Sequence, residues 1–198
     1  MKLYTLLLIV ASFTLQGFSQ TTKSDKPKLV VGIVVDQMRN DYIERFWNHY
    51  GDDGFKRLVN QGFRFKNNHF NYVPTFTGPG HTSVYTGTSP MNHGIIGNNW
   101  FDKTSSEMVY CAGDTSVISV GTTDVTGQMS PHRMLSTTIA DENRLATQMR
   151  GKTIGVAIKD RGAILPAGHT ANAAYGFTEK MKADGLVVLS IWMHCHNG

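Results

Sequence analysis

A bend rich in hydroxyl side chains lies near the middle of the chain, at residues 75–82, TFTGPGHT. Gly78 permits unusual backbone angles and Pro79 suits the first position of a helix, so the pattern predicts a helix that begins at this bend. A helix N-terminus offers unpaired backbone N–H groups and the positive end of the helix dipole. A phosphoryl group held there would lie beside a threonine hydroxyl able to attack it. The alternative is a capped surface turn, because Ser, Thr, Gly and Pro are the ordinary residues of turns.

Charged side chains follow two apolar segments that are predicted to be buried strands. Asp36 follows the β-branched run Leu29–Val35, and open α/β sheets bind ligands at the carboxyl ends of such strands. Lys159 and Arg161 follow Thr153–Ile158, and they would project to the same side if the extended geometry continues. Two cations on one side would form a phosphate clamp. The alternatives are that Asp36 belongs to a helix cap or turn and that the basic pair is a solvated strand end.

Amide side chains occur in the segment Met91–Phe101, MNHGIIGNNWF, which is predicted to be an irregular loop because it is rich in Gly and Asn. Asn98 and Asn99 would offer polar contacts to a ligand there. An asparagine in a loop bounded by glycines is also a common turn residue, so the residues by themselves leave both roles open.

Apolar strands alternate with helical segments, which predicts an α/β fold with a largely parallel sheet. The clearest predicted helix runs from Ser130 to about Arg150, with Pro131 at its first position and Gly151 at its end. Its apolar side chains, predicted to be core contacts, are Leu135, Ile139, Leu145 and Met149. The other predicted elements are helices at Tyr42–Tyr50 and Asp53–Asn60 and strands at Phe63–Lys66, Met108–Cys111 and Val117–Val120.

The composition is that of a soluble globular domain or a piece of one, because 40% of the 198 residues are hydrophobic and 17% are charged. The net charge is +4, but basic and acidic residues are mixed along the chain. A nucleic-acid surface needs clustered Lys and Arg, so no nucleic-acid partner is predicted. The two cysteines, Cys111 and Cys195, allow only a minimal disulfide framework.

Residues 1–19 have the pattern of a secretory signal peptide. Lys2 supplies the positive start, Leu3–Leu15 is apolar, and small residues precede a cleavage position ahead of Gln20. The apolar run is shorter than the roughly 20 residues of a transmembrane helix. The sequence therefore predicts a periplasmic or secreted protein without a stable membrane anchor after cleavage.

Three segments taken together resemble the alkaline phosphatase superfamily. They are Val34–Asp36, then GFRFKNNHFNYVPTFTGPGHTSVYTGTSPMNHGIIGNNWFD, then IKDRGAILPAGHTANAAY. The pattern is most similar to exported bacterial alkaline phosphatases that use a threonine nucleophile, and it covers residues 29–175. The resemblance implies a three-layer α/β/α sandwich with a largely parallel central sheet, incomplete in this chain.

The resemblance also implies roles for five residues. Thr77, rather than its threonine neighbours, would be the nucleophile and a zinc ligand, and Asp36 would be a zinc ligand. Asn98 would donate to a phosphoryl oxygen, while Lys159 and Arg161 would contact the phosphoryl group in the transition state. These roles agree with the chemistry above, because zinc lowers the pKa of a hydroxyl and cations neutralise the transferring group.

The implied reaction is zinc-dependent hydrolysis of a small phosphate monoester through a phospho-threonine intermediate. The sequence lacks the CxPxR-type context of sulfatases, and its Lys-Asp-Arg triplet resembles that of the monoesterases. One alternative is a phosphodiesterase of the nucleotide pyrophosphatase type, which also uses threonine. Another is an exported module that binds phosphate without turnover.

The sequence departs from the family pattern near its end. Residues 20–175 are predicted to be the N-terminal part of an alkaline-phosphatase-like domain, and residues 176–198 a tail foreign to it. The two zinc ions of the family need Asp and His ligands that lie well beyond residue 175, so we expect this truncated chain by itself to be inactive. A single-nucleotide loss after Tyr175 would explain the tail, because codons read one frame back are able to spell the family's continuation. The DNA sequence tests that hypothesis.

Overall fold

The computed structural model describes residues 27–118 and 125–176. The predicted signal peptide, and the predicted tail from residue 177 onward, lie outside these ranges. The helices are α1 (Tyr42–Arg45), α2 (Phe55–Gln61), α3 (Thr77–Thr86), α4 (Pro90–His93), α5 (Ile139–Ala146) and α6 (Asp160–Ala167). The strands are β1 (Asn99–Asp102), β2 (Glu107–Tyr110), β3 (Ile154–Val156) and β4 (Ala173–Tyr175), and short 3₁₀ helices lie at Trp47–His49 and Val125–Gly127.

Strands β3 and β4 form a parallel pair joined by helix α6. Ile154 pairs with Ala173 and Val156 pairs with Tyr175. A parallel pair needs a crossover connection, and α6 supplies it while contacting both strands. This β–α–β unit agrees with the predicted α/β fold in the part of the chain that the structure describes, although α6 and β4 were not among the predicted elements. Strands β1 and β2 form a separate antiparallel hairpin.

The buried apolar core is small and is centred on α6. Its members are Ile95, Cys111, Ala112, Met134, Ala163, Ile164, Leu165 and Ala174. Helix α3, which contains most of the hydroxyl-rich bend, contacts α6. The core therefore supports both the helix that begins with Thr77 and the helix that contains Arg161.

The first predicted strand, Leu29–Val35, does not form. Its residues are irregular in structure and exposed, with Ile33 at 76%. Contacts divide the chain just before Val35, so residues 27–34 belong to a separate unit. No described strand pairs with this segment, and its β-branched sequence alone does not satisfy the backbone N–H and C=O groups of a strand.

The strand predicted at Phe63–Lys66 is also wrong. Phe63 is 83% exposed and stacks edge to face on Phe65, with ring centroids 4.9 Å apart. Neither of the residues Val117 and Ile118 forms a strand, and the rest of that predicted element lies outside the described residues.

The long helix predicted from Ser130 begins much later in the chain. Thr138 caps α5, because its hydroxyl accepts from the Asp141 N–H at 3.1 Å and the Asp141 carboxylate accepts from the Thr138 N–H at 3.0 Å. This reciprocal capping box is a stronger start signal than Ser130 followed by a proline. The four side chains predicted to be core contacts are 43–76% exposed: Leu135, Ile139, Leu145 and Met149.

Other predicted elements are present with shifted boundaries. The helix expected at Tyr42–Tyr50 is divided into α1 and a 3₁₀ turn, and the helix expected at Asp53–Asn60 is α2. The strand predicted at Met108–Cys111 is confirmed as β2, while the loop predicted at Met91–Phe101 contains parts of α4 and β1. Across residues 27–118 and 125–176, the helices are too short or too polar to cross a membrane.

Asp141 joins the cap of α5 to the loop that follows α6. One carboxylate oxygen accepts from Thr138, and the other accepts from the N–H and hydroxyl of Thr170 at 2.7 and 2.8 Å. Burial raises the pKa of Asp141, but these hydrogen bonds outweigh burial and hold the pKa below its ordinary value. The carboxylate is therefore a charged buried anchor between α5 and that loop.

We predict that Gly168→Ala lowers the free energy of unfolding by about 2–4 kcal/mol, because the new methyl group causes both backbone strain and a steric clash. Gly168 has φ of +80°, and a Cβ there would overlap the Asp141 carboxylate and the Thr138 hydroxyl. Urea unfolding measures the loss. Gly87→Ala is the control, because Gly87 has φ of +68° but no atom within 4 Å of a Cβ. Equal losses in the two variants would contradict the prediction.

Candidate active site

The structure brings Thr77 and Asp36 together although 41 positions separate them. The Thr77 hydroxyl donates to the Asp36 carboxylate at 3.1 Å. Thr77 is the first residue of α3 and is half-buried, whereas Asp36 is exposed. Asp36 lies in a turn closed by a hydrogen bond from the Met38 N–H to the Val35 carbonyl at 3.4 Å. That turn presents the carboxylate without the strand that the sequence predicted before it.

The three threonines of the bend have different surroundings. Thr82 is fully buried, and its hydroxyl donates to the Gly78 carbonyl at 2.8 Å, so that hydroxyl serves the helix backbone. Thr75 is exposed and makes no hydrogen bond among the described residues. The carbonyl of Thr77 accepts from His81 Nδ1 at 2.9 Å, which braces its backbone. The geometry therefore favours Thr77 as the reactive hydroxyl.

Asn98 holds the first turn of α3 through its side chain. Its Oδ1 accepts from the Gly78 N–H at 2.7 Å, and its backbone carbonyl accepts from the Cys111 N–H at 2.9 Å. This contact pairs one of the backbone N–H groups that a helix N-terminus would otherwise offer to an anion. Because the oxygen is engaged, the amide NH₂ is the group of Asn98 that remains to donate to a ligand.

Gly78 allows this close approach. A Cβ at Gly78 would lie 3.1 Å from Asn98 Oδ1 and 3.3 Å from Cys111 Sγ. Cys111 is a free, fully buried cysteine, and burial raises the pKa of its thiol to about 12. The thiol is therefore protonated at neutral pH and packs against the first turn of α3 as an apolar group.

The basic pair does not lie on one continuous strand. Helix α6 begins at Asp160, so the extended geometry ends at Lys159 and the condition for the predicted projection to one side is not met. Arg161 instead donates through Nη1 to the Tyr110 hydroxyl at 3.1 Å, and that hydroxyl donates to the Asp160 carboxylate at 2.5 Å. Arg161 Nε is buried without a hydrogen-bond partner among the described residues.

Tyr110 is the residue that the sequence analysis missed. It was assigned only to strand β2, and no local pattern relates it to Arg161, which lies 51 positions later. Burial, and then the hydrogen bond to Asp160, raise the pKa of Tyr110, so it remains a neutral phenol. Its single hydrogen goes to Asp160, which leaves its oxygen to accept from Arg161.

The five predicted site residues are therefore brought together in two groups. Thr77 contacts Asp36, and Asn98 contacts the residue after Thr77. Lys159 and Arg161 lie at the start of α6, which packs against α3. In the described residues there is no cluster of three or more His, Cys, Asp or Glu side chains able to hold a metal ion. Asp36 and Thr77 would supply two oxygen ligands to such an ion.

Residues 30–185 match the family model of type I phosphodiesterases and nucleotide pyrophosphatases. The match covers most of the chain, and the chain belongs to this family, within the alkaline phosphatase superfamily. Alkaline phosphatase PhoV of Synechococcus elongatus is 55% identical over 162 residues, which are 82% of this chain and 29% of PhoV. Alkaline phosphatase PafA of Elizabethkingia meningoseptica is 48% identical over 179 residues, which are 90% of this chain and 33% of PafA.

Solved structures show the same relationship. The crystal structure of wild-type PafA matches with a TM-score of 0.76 and 50% identity, covering 78% of this chain and 30% of PafA. This match confirms the predicted alkaline-phosphatase-like α/β fold. A PafA variant, with one threonine changed to serine and an asparagine, a lysine and an arginine changed to alanine, matches with the same TM-score and 48% identity. The chain spans only 29–33% of the length of these curated relatives.

We predict that Asn98→Ala lowers the free energy of unfolding by about 1–3 kcal/mol, because the buried Gly78 N–H loses its acceptor. Urea unfolding measures the loss. Asn99→Ala is the control, since Asn99 is exposed and its side chain makes no hydrogen bond among the described residues. Asn98→Asp keeps an oxygen acceptor and is expected to retain most of the stability. The prediction fails if Asn98→Ala is no more destabilising than Asn99→Ala.

Proposed function

We propose that the chain carries the nucleophile of a site that hydrolyses small phosphate monoesters through a phospho-threonine intermediate. The observation that carries this proposal is the 3.1 Å hydrogen bond from the Thr77 hydroxyl to Asp36. A hydroxyl needs an activating partner to act as a nucleophile, and this hydrogen bond supplies one within reach. The similarity to PhoV and PafA, both named alkaline phosphatases, supports the reaction class.

The proposed reaction has two displacements at phosphorus. In the first, Thr77 Oγ forms a bond to phosphorus while the bond from phosphorus to the ester oxygen breaks. The hydroxyl proton passes to solvent by way of the Asp36 carboxylate, which accepts its hydrogen bond, and the departing alcohol takes up a proton from water. In the second, a water oxygen attacks the phosphorus of the phosphorylated threonine and the water gives up a proton, the bond from phosphorus to Thr77 Oγ breaks, Oγ takes up a proton, and phosphate is released.

Three further side chains would stabilise the charge on the transferring group. The Asn98 amide is held with its oxygen toward Gly78, so its NH₂ would donate to a phosphoryl oxygen. Arg161 has a buried unpaired Nε among the described residues, a donor that a phosphate oxygen would satisfy. Lys159, one residue before α6, would add a second positive charge.

Zinc is the metal that we propose for this site. Asp36 and Thr77 fit part of a zinc ligand set, and zinc takes four ligands in most protein sites. A zinc ion bound there would lower the pKa of the Thr77 hydroxyl and favour its attack. The remaining ligands are not among the described residues as a recognisable cluster.

The PafA variant supports this choice of residues. Its four changes affect a threonine, an asparagine, a lysine and an arginine. These residue types occur in the same order as Thr77, Asn98, Lys159 and Arg161 in this chain. A deliberate change of all four in a similar protein is what we would expect if they act at one site.

A phosphodiesterase is the second candidate, because the matching family model is described by that activity. A diester presents one fewer negative charge to the basic side chains than a monoester does. Rates on an aryl phosphate and on the corresponding diester separate the two enzymes. A module that binds phosphate without transfer is the third candidate.

We predict that Thr77→Ala abolishes phosphoryl transfer, because the attacking oxygen is lost. The purified chain is incubated with zinc and an aryl phosphate, quenched in acid and analysed by mass spectrometry for phosphorylated Thr77. The expected loss of signal is at least about a thousandfold, on the scale seen when a catalytic nucleophile is removed. Thr75→Ala is the control, because Thr75 is an exposed hydroxyl two residues away.

The outcomes separate hydrolysis from the binding module and test the expectation of inactivity. Phosphorylated Thr77 with continuous release of phosphate would support hydrolysis and would make the expected inactivity of the chain wrong. Phosphorylated Thr77 without further turnover would support both the intermediate and that expectation. Binding of inorganic phosphate with no phosphorylated Thr77 would overturn the hydrolytic proposal and favour the binding module.

We predict that Tyr110→Phe weakens the binding of inorganic phosphate about tenfold, since one hydrogen bond that orients a charged group is lost. Without the phenol, the Asp160 carboxylate is free to pair with Arg161 and to compete with phosphate. Isothermal titration calorimetry measures the affinity. Tyr175→Phe is the control, because the Tyr175 hydroxyl makes no hydrogen bond among the described residues. Equal affinities in the two variants would refute the role of Tyr110.

We also propose that the protein is exported to the periplasm or beyond the cell. The support is the leader pattern in residues 1–19, which lie outside the described part of the chain. A mature protein that begins at Gln20 would support this location.

A further inference from the structure

A continuous series of polar groups runs from the end of α4 to the first turn of α3. His93 is fully buried, and its Nε2 lies 2.9 Å from the Ser83 hydroxyl. The Ser83 hydroxyl lies 2.7 Å from the Tyr72 hydroxyl, which lies 3.1 Å from the Pro79 carbonyl oxygen. None of these groups has a part in the proposed reaction. We refer to Tyr72, Ser83 and His93 as the polar relay.

The number of available hydrogens determines which group donates and which accepts in each hydrogen bond of the polar relay. The Ile95 N–H donates to His93 Nδ1 at 3.2 Å, so the imidazole proton is on Nε2 and is donated to Ser83. The Pro79 carbonyl only accepts, so it takes the single hydroxyl hydrogen of Tyr72. The Ser83 hydroxyl hydrogen then goes to the Tyr72 oxygen. Every donor and acceptor in this arrangement has a partner.

The imidazole remains in this form over the ordinary pH range. Burial lowers the pKa of His93 to about 4, so it is neutral at physiological pH. A neutral ring with an accepting Nδ1 matches the N–H that the backbone of Ile95 presents. The relay therefore does not depend on a change of charge.

The segment that enters α3 has few restraints of its own. The residue before the helix is Phe76, and it makes no side-chain capping hydrogen bond. The entering segment is exposed, with Val73 at 90% and Phe76 at 53%. Packing of these side chains therefore does not fix the entry into the helix. The hydrogen bond from Tyr72 to Pro79 joins the chain before this segment to the first turn after it.

We propose that Tyr72, Ser83 and His93 are positioning residues, which fix the first turn of α3 and thereby the direction of the Thr77 hydroxyl. The relay holds the Pro79 carbonyl, while Asn98 holds the N–H of the adjacent Gly78. Opposite ends of one short backbone segment are thus restrained by two independent contacts. The consequence for catalysis rests on the proposed function, but the structural restraint does not.

The relay is tested without substrate by NMR spectroscopy of the 198-residue chain. The ¹⁵N signals of His93 are expected to be those of a neutral imidazole with the proton on Nε2. Tyr72→Phe, which removes only the hydroxyl, is expected to shift the backbone amide signals of Thr77 and Gly78. Tyr85→Phe is the matched control on α3, because the Tyr85 hydroxyl makes no hydrogen bond among the described residues. A proton on Nδ1, or equal spectra of the two variants at Thr77 and Gly78, would overturn the proposal.

A kinetic measurement tests the consequence for the reaction. Tyr72→Phe is expected to lower the rate constant for phosphorylation of Thr77 about tenfold while the substrate concentration at half the maximal rate stays within about twofold, because orientation of the nucleophile affects the chemical step. Ser83→Ala is expected to cause a similar loss, and Ser83→Thr, which keeps the hydroxyl, to recover the rate. Equal rate constants for Tyr72→Phe and Tyr85→Phe would contradict the positioning role. A wild-type chain that forms no phosphorylated Thr77 would count against the proposed function, and the NMR comparison would still decide the restraint.

Discussion

The hydrogen bond from the Gly78 N–H to Asn98 Oδ1 is the contact on which the arrangement of the site depends. At 2.7 Å it joins the first turn of α3 to the segment that leads into β1. It requires glycine, because a side chain at Gly78 would crowd Asn98 and Cys111. The same bond turns the amide NH₂ of Asn98 away from the helix backbone. One contact thus restrains the helical turn that begins with Thr77, the proposed nucleophile, and orients a donor beside it.

At the start of α6, a neutral polar side chain also determines the arrangement of the charged residues. Tyr110 gives its hydrogen to Asp160 and accepts one from Arg161, so a phenol separates a carboxylate from a guanidinium. A direct ion pair between Asp160 and Arg161 would use the guanidinium hydrogen bonds within the protein. Because the phenol lies between them, Arg161 Nη1 donates to a neutral oxygen rather than to the Asp160 carboxylate. The polar relay beside α3 is also built from neutral groups, and each of its donors has an acceptor.

Local signals predicted some elements and misplaced others for identifiable reasons. The prediction of a largely parallel sheet came from the alternation of strands and helices, and β3 and β4 are a parallel pair, although neither α6 nor β4 was itself predicted. The helix start at Thr138 was missed because Ser130-Pro131 resembled a start, whereas the reciprocal bonds between Thr138 and Asp141 define the actual one. The run Leu29–Val35 has strand composition but no paired neighbour in the described residues, and composition cannot supply a partner.

The sequence by itself determined the family, the hydroxyl-rich bend and the residue types that a phosphoryl group requires. These are local properties, since they depend on motifs and on side-chain chemistry. Only the tertiary structure decided that Thr77 rather than Thr75 or Thr82 contacts Asp36, that Asn98 holds Gly78, and that Tyr110 orients Arg161. The physical reason is that each of these contacts joins residues 20 to 51 positions apart. Such contacts depend on how the helices and the hairpin pack, which no local pattern specifies.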